Sequence, residues 1–199
     1  FSGRAGKIAL VTGALFTAFC MSACAGSTDV TTTVLNRDGS VRSIIIDSFD
    51  KDYYKVEELE SMAGSRADEY NGLKGADSVK VGKVSEKEGK VTAELSFDSW
   101  EDYAGFNGVT FFVGTVKEAR DAGYEIPESL DSADGSGSVI SAFDLVNEHG
   151  DNHVVITDET VRLKTFSKIL YSGEGVTLLS SKEAEVNEGI EGPVYLVFK

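Results

Sequence analysis

A chain of 199 residues with 41% apolar and 26% charged side chains is long and apolar enough to bury a core, which excludes a disordered segment. Its formal net charge of −14 excludes nucleic acid and anionic surfaces as natural partners, because both would repel it. Acidity alone does not name a cationic ligand, since it is also a means of staying soluble.

The chain opens with Arg4 and Lys7, then the uncharged apolar run Ile8 to Phe19, then Met21-Ser22-Ala23-Cys24. Basic, then apolar, then small is the order of a secretory signal segment. The run is a dozen residues, short of the ~20 that a membrane span needs. Cleavage at an ordinary small-residue site is the competing reading. The Met21-Ser22-Ala23-Cys24 ending resembles the lipobox of bacterial lipoproteins. That resemblance implies removal of residues 1–23 as a signal peptide, cleavage between Ala23 and Cys24, and a lipid on the Cys24 sulfur. The chain would then be held at the extracytoplasmic face of the cell membrane. Cys20 is a poorer lipid acceptor, because the bulky Phe19 precedes it. Processing would leave 176 residues and, with Arg4 and Lys7 gone, turn the charge of −14 into −16. Cys24 would be the sole cysteine of the mature chain, so no disulfide is expected.

The first expected element is a hairpin, because Val30 to Leu35 and Val41 to Ile46 are rich in β-branched residues and Asn36-Arg37-Asp38-Gly39 is turn chemistry. Val56, Leu59, Met62, Ala63, Ala67 and Tyr70 then recur at spacings of three and four. They predict the main amphipathic helix, ending near Asn71-Gly72, with Met62 in its core stripe. A second hairpin follows, in which Val91, Ala93, Leu95 and Phe97 alternate with polar residues after the turn Glu86-Lys87-Glu88-Gly89. Ser99 and Thr115 each stand three residues ahead of an acid, the spacing of a helix cap, with Val109 to Val113 as a buried strand between them.

From Glu125 to Ser138 the composition turns small and polar, which predicts a loop or linker over 125–138. Beyond it Val139 to Val146 reads equally as strand or helix. Val154 to Ile156, Val161 to Lys164, Ile169 to Tyr171, Val176 to Leu179 and Val194 to Phe198 are strands at intervals that predict an antiparallel meander or small sandwich. The expected fold class is therefore α+β: antiparallel sheets, one main helix, short helices and a strand-rich C-terminal part. The expected organisation is a tether over 24–29, an α+β region over 30–124, the linker, and a β-rich region over 139–199 packed on the first as one unit. The start Asp29-Val30-Thr31-Thr32-Thr33, and a helix after the segment Phe49 to Tyr54, resemble small lipoproteins of Gram-positive bacteria. That likeness implies a place and not a chemistry.

No catalytic set, metal site or cofactor motif stands out. His149 and His153 have a spacing that would share a metal on a helix, but Gly150-Asp151-Asn152 argues against a helix there, and solvated histidines are expected. Asp134-Gly135 matches only one element of a calcium loop. Trp100, Tyr103 and Phe106, three apart, could be exposed rings for a sugar or protein partner, with core packing the favoured reading. The expected function is a lipid-anchored, non-enzymatic binding or envelope-associated domain, with a protein or an envelope polymer as partner. An envelope hydrolase and a solute-binding component of a transporter are the alternatives. Only five residues separate Cys24 from Val30, a reach under ~20 Å, so few acids are expected near Val30, where they would meet anionic headgroups.

Overall fold

The computed structural model describes residues 30–51 and 54–199. Ala23, Cys24 and everything expected of residues 1–29 lie outside the described residues. Strand β1 (Thr32–Leu35) pairs antiparallel with β2 (Val41–Ser48), Leu35 opposite Val41. Helix α1 (Val56–Lys74) follows, and Gly75 caps its carbonyl end. Its stripe of Val56, Leu59, Ala63, Ala67 and Tyr70 faces the protein, yet Ala67 is its only fully buried residue. Met62 does not belong to that stripe and is 63% exposed. One residue from Ala63 is about 100° around the helix, which carries Met62 off the packed face.

Strands β3 (Val79–Lys87) and β4 (Lys90–Phe97) are joined by Glu88 and Gly89. Both adopt positive φ, 55° and 74°, the twist a two-residue hairpin turn requires. Helix α2 (Trp100–Asn107) starts at Ser99, whose hydroxyl oxygen accepts the Asp102 N–H. Strand β5 (Phe111–Thr115) runs into α3 (Val116–Asp121) through a full capping box between Thr115 and Glu118. Both caps are where the Ser/Thr-to-acid spacing placed them.

Within the stretch expected as a loop lies a strand, β6 (Ser129–Ser132). Leu130 is its one large apolar residue and is buried, which is why composition concealed the strand. Val139 to Val146 divides rather than choosing: β7 (Val139–Ser141) pairs with β6, and Ser141 caps α4 (Ala142–Glu148). Then come β8 (His153–Thr157), β9 (Arg162–Lys164), β10 (Ile169–Ser172), β11 (Val176–Leu178), β12 (Glu183–Val186) and β13 (Val194–Phe198). The β12 strand was hidden because its buried face is only Ala184 and Val186, while Glu183 and Glu185 reach Lys164 and Arg162 at 3.0 and 2.9 Å.

The fold is α+β. One sheet runs β11-β12-β9-β1-β2-β4-β3 and the other β5-β8-β13-β10-β6-β7. The late strands do not form a meander: β9, β11 and β12 complete the sheet that early strands began, with β9 parallel to β1, while β13 lies between β8 and β10 in the other sheet. Phe97, Tyr103, Phe111, Leu163, Leu196 and Phe198 belong to a core shared by the two sheets. Phe112, Val116, Leu145, Ile156 and Val197 form a second core under α3 and α4. The second sheet is thus covered on both faces, and all five residues of β13 are buried.

The register also fixes what lies beside Val30. Thr31 bonds Ile46, and the next residues of β2, Asp47 and Ser48, pair with Val91 and Lys90. Asp47, Asp50, Glu86 and Glu88 therefore crowd this end together with Lys51, Lys87 and Lys90. The acids here are not sparse: four stand among three lysines, with Lys51 paired to Asp50 and Lys87 to Glu88.

Candidate functional site

At the opposite end of β1 and β2 their turn leans over β5, β8 and α3 and leaves a cavity of about 150 Å³ between the two sheets. Its walls are Leu35, Val41, Trp100, Val113 and Phe166. Asn36, Arg37, Ser40, Glu118 and His153 supply its polar atoms. Arg37 extends its guanidinium over the Phe166 ring, 5.2 Å from the centroid, and makes no ion pair among the described residues. His153 stacks on Phe198 at 5.5 Å and meets Phe166 edge-on at 5.0 Å. Trp100 closes the floor with its ring 5.0 Å from that of Phe112.

Glu118 is held by its own cap. Its Oε2 accepts the Thr115 N–H at 2.7 Å and the Thr115 hydroxyl at 3.0 Å. These two bonds, the backbone one foremost, hold its carboxyl below the ordinary range, with a smaller pull from His153. Glu118 is therefore an anion in the cavity wall. Gly114 makes room for it: a Cβ there would stand 2.7 Å from Phe112 Cζ and 3.0 Å from Glu118 Oε2.

Two further polar clusters are internal. The Tyr103 hydroxyl donates to Glu159 Oε2 at 2.6 Å and shares a 3.0 Å bond with Thr33 Oγ1, tying α2 to β1 and to the turn after β8. Burial pushes the Tyr103 hydroxyl well up, and burial likewise raises the Glu159 carboxyl, against the opposing effect of the Tyr103 bond. Asp102 accepts Ser99 Oγ at 2.8 Å, Lys74 Nζ at 3.0 Å and Tyr70 OH at 3.3 Å. Burial alone would raise its carboxyl, but the bonds from Ser99 and Lys74 outweigh that and leave it lowered. The first cluster joins α2 to β1 and to the turn after β8, and the second joins α2 to α1.

A second, wider groove of about 580 Å³ runs along Glu128, Glu174 and Glu191 beside Ile190, Pro193 and Tyr195. It is open and acidic, and among the described residues no basic side chain lines it.

The aromatic triplet is divided by the fold. Tyr103 and Phe106 are core residues, and Trp100, partly buried, alone reaches the cavity. The histidines are not simply solvated. His149 Nε2 lies 3.2 Å from the Tyr171 hydroxyl and its Nδ1 3.0 Å from Asn152 Nδ2, while His153 is gripped by rings. Asp134 bonds Ser136 within its own turn, which lowers its carboxyl to about 2 and leaves the loop self-contained. Sequence reasoning passed over Arg37 and Glu118, one read as turn chemistry and the other as a cap. No local motif joins residues of four separate elements into one wall. No family model matches the chain, and neither a curated protein nor a solved structure matches it.

Proposed function

We propose that this chain is a non-enzymatic binding domain, held at the outer face of the cell membrane by a lipid on Cys24, and that the cavity at the β1–β2 turn is its binding site. The observation that carries this reading is where the cavity lies. Val30 enters β1 at one end, and the cavity opens at the other, lined by the residues that turn β1 into β2. The five steps from Val30 to Leu35 at ~3.4 Å each set the two ends about 17 Å apart. A chain anchored through the five residues before Val30 would hold its near end against the bilayer and present the cavity outward. Apolar walls with a few converging polar groups are what a site offers to one small group, free or carried by a protein segment or an envelope polymer.

Two measurements test it. Mass spectrometry of the mature amino-terminal peptide should find diacylglyceryl on Cys24, and a free thiol there or a different first residue overturns the anchor. Pull-down of the tagged protein from membranes should yield a partner that Val113→Trp, which fills the cavity, loses. A partner retained by a folded Val113→Trp variant removes the cavity from the proposal.

A further inference from the structure

We infer that the cavity takes a small zwitterion with an apolar side chain, an α-amino acid seated with its side chain inward and its charged head at the rim. The inference rests on the cavity being the binding site proposed above. Its volume of about 150 Å³ is that of a hole that admits one benzene-sized ring. Leu35, Val41, Val113 and Phe166 give such a group an apolar lining.

The charges decide the head. Arg37 is a permanent cation that no carboxylate neutralises among the described residues, and it hangs over the Phe166 wall. Glu118 is an ionised carboxylate whose two hydrogen bonds both fall on Oε2, which leaves Oε1 for a donor. A simple carboxylate would meet Arg37 but be repelled by Glu118. A simple amine would meet Glu118 but be repelled by Arg37. A ligand carrying both signs satisfies the two together, and this opposition supplies specificity as well as affinity.

The full chain, purified in detergent, would be titrated calorimetrically with L-phenylalanine, 3-phenylpropionate, which lacks the ammonium, and phenethylamine, which lacks the carboxylate. Amide resonances of Gly39, Ser40, Gly114 and His153 report the site. L-phenylalanine should shift these amides and bind at least tenfold tighter than either truncated probe. Arg37→Gln should erase its advantage over phenethylamine, and Glu118→Gln its advantage over 3-phenylpropionate. Equal binding of all three at these amides overturns the zwitterion and leaves the binding site standing. Shifts confined to other amides, or none, with a partner still lost on Val113→Trp, overturn the zwitterion alone. The same silence with a partner retained overturns the binding site as well.

Discussion

The two longer helices invert the usual relation between length and anchorage. The nineteen residues of α1 bury one side chain, Ala67, while the eight residues of α2 bury three, Asp102, Tyr103 and Phe106. Beyond the packing of its stripe on β3, α1 is held by polar links, and most of them end on α2. Arg66 Nη2 donates to the Phe106 carbonyl at 2.8 Å with its guanidinium 4.8 Å from that ring, and Lys74 and Tyr70 reach Asp102. Only Asn71 goes elsewhere, giving and taking hydrogen bonds with the Val79 backbone at 2.8 and 2.9 Å, as a neighbouring strand would. The short helix is gripped by both sheets, whereas the long one packs along β3, the edge strand of one sheet, and is tied to α2 by these polar links.

The sharpest way to break that order is to remove the grip. Tyr103→Ala should cost about 3–5 kcal/mol, the range for emptying a large aromatic site, read as a lower urea midpoint. Tyr103→Phe keeps the ring against Phe97 and Phe111 and strips the hydroxyl from Glu159 and Thr33. It should cost about 1–3 kcal/mol, the penalty of leaving buried polar partners unmatched. A loss as small for Tyr103→Ala as for Tyr103→Phe would mean that the ring is not the anchor.

Acidity separates the two internal carboxyls by sign. Asp102 is lowered in the folded protein, so the stability it contributes is present above 3.8 and is lost as the pH falls below that value. Glu159 is raised, so the folded state holds its proton more tightly than the unfolded one does. Its contribution is present below 4.5 and is lost as the pH rises above that value toward its folded pKa. Asp102→Asn should flatten the acid limb of stability against pH, and Glu159→Gln the limb just above 4.5. A Glu159→Gln variant whose limb is unchanged would show that this carboxyl is already hydrated.

What could be read in the sequence follows the same division. Elements fixed by local chemistry were legible: the β3–β4 turn at Glu88-Gly89, the Ser99 and Thr115 caps, the alternation of β4. Elements fixed by their neighbours were not. The β6 and β12 strands are mostly polar and become strands because β10 and β9 offer them hydrogen-bonding edges. Met62 entered the stripe on its hydrophobicity, and only the helix rotation excludes it. The cavity was least legible of all, since Arg37, Trp100, Glu118 and His153 come from four elements and none carries a motif. The proposed lipid on Cys24 is read from the Met21-Ser22-Ala23-Cys24 segment.

The smallest expected effect sharpens the comparison most. Met62 and Leu73, 63% and 85% exposed, lie on the outer side of α1, so Met62→Ser and Leu73→Ser should each change stability by no more than about 0.5 kcal/mol. Asn71→Ala, on the same helix and at no great depth, removes the one polar link that bypasses α2 and should cost about 1 kcal/mol. Amide exchange should then order the helices by anchorage. Amides in the first turns of α1 should open well below the global unfolding free energy, while those around Tyr103 and Phe106 exchange only with the whole molecule. If α1 and α2 were instead protected to the same level, the polar links would be enough to make the long helix part of the core, and Asn71→Ala would destabilise both helices together.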